Sequence, residues 1–441
     1  MRGFYVYACL LVLAVLAPLN GYCDVKVQAL TTPKGIPFWL VENKGLPLVG
    51  VRVAFRAGSA YDPEGQEGLS ALTVSLLNES AGGMDAKTFA EYVQGLGAHL
   101  DIATEDDIVG ITLTSLRDSR VEAARALHAA IVEPAFTRDD TRRIRDAMAV
   151  VVRQNQVDPA VRASRELRKL IYAKHPYGHP VNGYLNTLEK LDSGDVRRFY
   201  KTYYTRANMS VSVAGDITPE EAAAFVDAAI DGLPEGKTPE DIPVSYTPPA
   251  QYLFVERDIP QTHIRMGHLG IDRKDPDYPA AQLLNYALGG PGFSSRLIKK
   301  IRVEAGLAYS VGSYMNPNHV GGTFEVYAQT RNANAERVIA MIKDQIKRIR
   351  AYGIEADEYH MAQDYMLGSF PRSIAGTRDL LRQMTIMQME DLGTDYLNTW
   401  PERIRNVTRE DIFRVANRLL DPARLTVVAV GGKAADKAGD K

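Results

Sequence analysis

The chain has 441 residues, of which 45% are apolar and 24% charged, and its formal charge is −2 at pH 7. That is long enough for two or more domains, each with its own core, and too apolar for a disordered chain. Basic and acidic residues are interspersed, without the basic stripe that a phosphate backbone needs, which argues against nucleic acid as a partner.

Residues 1–23 carry one early positive charge at Arg2, an apolar run from Tyr7 to Leu19, and the turn residues Asn20 and Gly21 before Asp24. This reads as a signal peptide, so the mature protein is expected in the periplasm or secreted. The apolar run is shorter than the roughly 20 residues that span a bilayer, and no later segment is apolar enough to span one. Cys9 and Cys23 are the only cysteines, so a mature chain beginning near Asp24 has no disulfide, thiolate zinc site or cysteine nucleophile. Cys23 is a candidate for lipid attachment, although Tyr22 before it is larger than the residue such attachment normally follows.

Beyond this leader the chain repeats itself. Asp195, Val196, Arg198, Ala207, Met209, Ser210, Val211 and Gly215 recur in the same order and spacing as Asp411, Ile412, Arg414, Ala423, Leu425, Thr426, Val427 and Gly431. Each copy has an acidic helix start, an amphipathic helix and a β-rich run ending in glycine, which points to an internal duplication. Both halves also open alike, with β-like runs at Val49–Arg56 and His263–Gly267 followed by Asp-Pro turns at Asp62-Pro63 and Asp275-Pro276. Further β-like segments, Ile108–Thr114 and Thr323–Ala328, alternate with helical patterns at Arg120–Ile131 and Ala333–Ala351. The segment 234–249, with its cluster of prolines and little periodicity, reads as a linker. The expected organisation is a first domain over 24–233, this linker, a second domain over 250–433 and a disordered tail over 434–441. Each half is expected to be α+β, with helices packed on a largely antiparallel sheet.

The sequence contains no HExxH or HxxEH, no G-x-S-x-G elbow and no phosphate-binding loop. His175 and His179 are four apart, but Pro176 and Gly178 between them favour a turn over a shared helix face. His263 and His268 differ by an odd number on a β-like run and so point to opposite faces. The run Gly289-Gly290-Pro291-Gly292 lacks the Lys-Ser/Thr of a phosphate loop and by itself is a flexible loop.

The stretch LGGPGFSSRLIKKIRVEAGLAYSVGS, Leu288 to Ser313, nevertheless resembles the hallmark of the second half of M16 (pitrilysin-like, insulinase-like) zinc peptidases. VRVAFRAGSAYDPEGQEGLS near Val51, HPYGHPVNGYLNTLEKL near His175 and YYTRANMSVSVAGDI near Tyr203 agree with the same family. The resemblance covers about Val25 to Gly432 and implies two homologous M16-like halves. In active members the segment matching Gly68-Leu69-Ser70 runs into HxxEH. Here Ala71 and Ser75 stand at the ligand positions and Val74 at the catalytic-base position, none able to ligate zinc or activate water. The third ligand, a Glu expected around Val150 to Gln154, is also missing, since no Glu lies between Glu133 and Glu166.

Arg302 and Tyr309 match the pair that in active members binds the substrate carbonyl and steadies the tetrahedral intermediate. The resemblance therefore implies a subunit that binds no cofactor itself and completes a zinc endopeptidase with an HxxEH-bearing partner, which holds the zinc and acts on unfolded peptides. Gly289, Gly290 and Gly292 would then form a substrate-binding loop near the entrance, and the segment Ala98–Ile108 would match the strand that accepts an extended peptide. Two other readings compete with it: an M16-fold scaffold or peptide-binding protein without a proteolytic role, and a self-sufficient peptidase using His175 and His179 as ligands.

Overall fold

The computed structural model describes residues 25–244 and 248–433; the expected signal peptide, both cysteines and the tail 434–441 lie outside them. The first half runs β1 (Gln28–Thr31), β2 (Pro37–Glu42), β3 (Leu48–Phe55), α1 (Leu69–Ser75), α2 (Ala86–Gly95), β4 (His99–Thr104), β5 (Val109–Leu116), α3 (Arg120–Val132), α4 (Arg138–Val157), α5 (Pro159–Tyr172), α6 (Leu185–Leu188), α7 (Ser193–Tyr203), β6 (Met209–Gly215) and α8 (Pro219–Ile230). The second half runs β7 (Tyr252–Glu256), β8 (Gln261–Leu269), α9 (Tyr278–Gly289), a π-helical segment at Ile298–Glu304, β9 (Ala308–Asn316), β10 (Thr323–Arg331), α10 (Ala335–Tyr352), α11 (Ala356–Ser369), α12 (Thr377–Met389), α13 (Tyr396–Arg405), α14 (Arg409–Leu419) and β11 (Thr426–Gly431).

The two sheets have orders β1-β2-β6-β3-β5-β4 and β7-β11-β8-β10-β9. Each is antiparallel apart from one parallel pair, β2 with β6 and β7 with β11. Strand for strand, β2, β6, β3, β5 and β4 correspond to β7, β11, β8, β10 and β9, so the duplicated sequence is also a duplicated fold. The repeated segments are α7–β6 and α14–β11. In each copy the acidic residue, Asp195 or Asp411, closes a capping box at its helix start with Asp192 or Thr408. The strand that follows lies between two others and is buried almost throughout, which explains the apolar run of β11 and why β6 mixes its apolar residues only with the small Ser210 and Ser212.

The halves exchange helices. From the first half, α5 packs on β8 and β11, placing Ala163, Leu167 and Ile171 against Val428 and Val430. From the second half, α12 packs on β3 and β6, and Leu380, Leu381 and Met384 share a buried cluster with Val41 of β2 and Ala214 of β6. Gly50 on β3 admits this approach, since a β-carbon there would stand 2.7 Å from Thr377 Cγ2 and 2.8 Å from Leu381 Cδ1. The described residues between α8 and β7 form neither helix nor strand, but they are not a free tether. Arg206 and Ala207 donate backbone N–H groups to Pro234 O and Glu235 O, and Ile242 is buried in the core under α5.

Candidate functional site

Helix α1 is where the resemblance puts the zinc motif. Asp62 holds its start, its carboxyl oxygens accepting from Gly68 N and Ser70 N at 2.7 Å each. Burial pushes the Asp62 carboxyl up to about 8, against the opposing effect of those two hydrogen bonds. Ala71 and Val74 are buried at 5% and 2% exposure, and the Ser75 hydroxyl donates to Ala71 O at 2.7 Å. Two aliphatic side chains and a hydroxyl bonded to its own helix do not fit a zinc ion. The region 150–154 of α4 supplies Val150, Val151, Val152, Arg153 and Gln154, and among the described residues no group of three or more His, Cys, Asp or Glu could hold a metal.

Arg302 and Tyr309 come together on the second half, and two backbone irregularities put them there. Arg302 lies in the π-helical segment, a rare geometry that is frequent at functional sites. Tyr309 lies at a β-bulge on the edge strand β9. Gln329 pairs with Ser310 but Thr330 pairs with Ala308, which leaves Tyr309 with no opposite residue. A bulge re-aims the side chain it carries, and Tyr309 is 76% exposed. The Arg302 guanidinium carbon stands 5.7 Å from the Tyr309 ring centre and 5.2 Å from that of Phe293, within cation–π range of both. Glu304 is taken by Lys300 at 2.8 Å, so Arg302 is not spent on that neighbouring carboxylate. The result is a guanidinium and a phenol side by side at the surface, both hydrogen-bond donors suited to a carbonyl oxygen that gains negative charge. They can polarise a carbonyl; they do not activate water.

The glycine run is not a single loop. Read from sequence, Gly289, Gly290 and Gly292 share one flexible loop. In the structure Gly289 is the last residue of α9 and Gly290 its C-cap, and both are buried. A β-carbon on Gly289 would sit 2.5 Å from Ser313 N on β9, and one on Gly290 would sit 2.6 Å from Tyr286 Cα. Gly289 lets the helix end meet the strand, and Gly290 lets the chain turn closely over Tyr286 of the same helix. Only Gly292 is exposed in open space, with φ 95°. Phe293 beside it, 69% exposed, is not singled out by sequence reasoning; its place in GGPGF is the one available signal.

The other histidines do not assemble a site. Residues 176–178 form a 3-10 turn between His175 and His179, and His175 Nε2 is 2.7 Å from Pro243 O. His263 and His268 lie on opposite faces of β8, and burial pushes both below the usual imidazole value. Strand β4, from the segment Ala98–Ile108, is the outer strand of its sheet, pairing only with β5.

A cavity of about 480 Å³ lies between the halves. Its arginines have partners: Arg168 with Asp106 at 2.5 Å, Arg273 with Glu390 at 3.2 Å, Arg382 with Glu105 at 2.9 Å, and Arg56 with Met389 O at 2.8 Å. Burial raises the Asp107 carboxyl, which accepts from Tyr177 OH and, at 3.2 Å, from His319 N. Tyr172 OH donates to Gly321 O at 2.6 Å. The β9–β10 loop is thereby held by the first half.

Two family models match the chain, one described as "Insulinase (Peptidase family M16)" over residues 39–183 and one as "Peptidase M16 inactive domain" over residues 190–366. A Helicobacter pylori protein called "Non-peptidase homolog YmxG" is 26% identical over 358 residues, covering 80% of this chain and 83% of that protein. The "Uncharacterized zinc protease SCO5738" of Streptomyces coelicolor is 27% identical over 383 residues, covering 83% and 78%. The crystal structure of a peptidase M16 inactive domain from Pseudomonas fluorescens superposes with TM-score 0.89 at 29% identity, covering 94% of this chain and 99% of that one. A chain of Candida albicans complex III shares the fold, with TM-score 0.78 at 17% identity over 92% and 96% of the two chains.

Proposed function

Because the chain belongs to the M16 peptidase family and its α1 carries no zinc ligand, we propose that it is a zinc-free subunit that pairs with an HxxEH-bearing M16 subunit. In that pair the partner holds the zinc ion and activates water, while Arg302 and Tyr309 of this chain bind the carbonyl of the scissile peptide. The observation that carries the reading is the solvent-facing Arg302–Tyr309 pair, kept at a bulge and a π-helical turn although the zinc positions hold Ala71, Val74 and Ser75. Substrates are unfolded peptides, and residues 1–23 direct export to the periplasm or medium.

The test is to capture partners from a soluble extract with the mature chain, identify an HxxEH subunit, and assay the purified pair on a quenched-fluorescent peptide. A chelator-sensitive activity that falls about 100- to 1,000-fold with Tyr309→Phe or Arg302→Ala supports the reading, the loss expected when a donor to a developing oxyanion is removed. Full activity in both variants would leave a scaffold role instead. Zinc-dependent cleavage by the chain alone would refute the proposal. Export is checked separately by fractionating cells with and without residues 1–23.

A further inference from the structure

We propose that Phe293 is a positioning residue for Arg302, holding its guanidinium between two rings so that its donors face the substrate carbonyl; this rests on the reading of Arg302 and Tyr309 given above. Phe293 and Tyr309 come from different elements, a loop after α9 and the edge strand β9, and both rings stand beside the same guanidinium, at 5.2 and 5.7 Å. Neither ring is there for the core, since they are 69% and 76% exposed. An arginine side chain is long and samples many rotamers, and Arg302 forms no ion pair among the described residues that would select one.

Two aromatic faces supply what a carboxylate would otherwise supply, orienting the cation without neutralising it or occupying its N–H donors. A carboxylate partner would compete with the substrate oxygen for those donors. The loop is shaped to present the ring, because Gly292 takes φ 95°, a conformation other residues rarely adopt, immediately before Phe293. Ser295, two residues on, is buried, and its carbonyl accepts from Lys299 N of the π-helical segment at 2.9 Å.

The experiment compares Phe293→Ala, Phe293→Leu and Phe293→Trp with Arg302→Ala in the reconstituted pair, reading kcat and KM. It also reads the Arg302 side-chain Hε resonance in the isolated chain by NMR. Leucine keeps the apolar bulk and loses the π face; tryptophan keeps the face. The alanine and leucine variants are expected to lose about three- to tenfold in kcat with KM within about twofold, and tryptophan to stay within about twofold of wild type. The ring-current shift of Hε should diminish in the first two and persist in the third.

Wild-type kcat in Phe293→Leu, with Arg302→Ala impaired, would overturn the proposal while leaving the proposed function standing. An unimpaired Arg302→Ala would overturn both. Loss of subunit pairing by Phe293→Leu in sedimentation would reassign the ring to docking and overturn it as well.

Discussion

Replacing Gly289 by alanine adds one methyl group at the point where α9 ends against β9. The new carbon would lie 2.5 Å from Ser313 N and 2.6 Å from Ser313 Oγ, distances that real β-carbons do not show to a backbone atom. Neither side can yield cheaply. Ser313 is paired with Val326 in the ladder, and its hydroxyl donates to Asn285 Oδ1 at 2.8 Å. Overpacking of this kind costs about 1–3 kcal/mol, so the unfolding constant should rise by roughly 5- to 150-fold, at tenfold per 1.4 kcal/mol. Gly292→Ala meets no neighbour and carries only the left-handed backbone cost of about 1 kcal/mol. Urea unfolding followed by circular dichroism should place the Gly289→Ala midpoint below that of Gly292→Ala. Hydrogen exchange should report weaker protection on β9, the strand that carries Tyr309. Equal midpoints, or a Gly289→Ala protein as stable as wild type, would refute the assignment of that glycine to packing.

Leu381 is fully buried where α12 crosses the first sheet, and Leu381→Ala should destabilise the protein by about 2–5 kcal/mol in the same titration. Tyr309→Phe and Arg302→Ala, at exposed positions, should shift stability by no more than about 0.5 kcal/mol, so any activity change they cause is not a folding effect. The contribution of Asp62 to stability should decline as pH rises from about 4 to about 8. Asp62 stays protonated in the fold up to about 8 and ionises earlier in the unfolded chain, so folding takes up a proton in that window. Asp62→Asn should flatten the profile measured by midpoints across pH. Installing Ala71→His, Val74→Glu and Ser75→His together should cost about 1–3 kcal/mol by crowding and burying polar groups. It should not yield a zinc peptidase, because α4 offers no third ligand; zinc analysis and peptide hydrolysis check this.

What the sequence shows directly is the doubled architecture. Asp195 and Asp411 announce their helices through capping chemistry, and β11 announces burial through its apolar run from Val427 to Val430. The vacant zinc positions are legible too, since Ala71, Val74 and Ser75 cannot be mistaken for ligands. Arg302 and Tyr309 can be named only through resemblance. Their proximity depends on a bulge and a π-helical turn, and neither has a periodic signature. Phe293 escapes sequence reasoning because its ring reaches Arg302 across a loop whose path Gly292 decides. Gly289 and Gly290 are misread for the opposite reason. A glycine that permits a close approach looks the same in sequence as one that permits a loop, and only the neighbour, Ser313 or Tyr286, tells them apart. The exchange of α5 and α12 leaves no local trace, as an amphipathic helix does not state which sheet it covers.

That exchange sets an order of events during synthesis. The face of the first sheet formed by Val41 and Ala214 is complete at Gly215, but the helix that covers it ends at Met389, 174 residues later. At roughly 5–20 residues per second the gap lasts about 9–35 s. A first half that folded ahead of the second would leave this apolar face uncovered, so the first half is complete only once α12 has reached it. A premature stop anywhere before α12 yields a sticky fragment, not a shorter working protein.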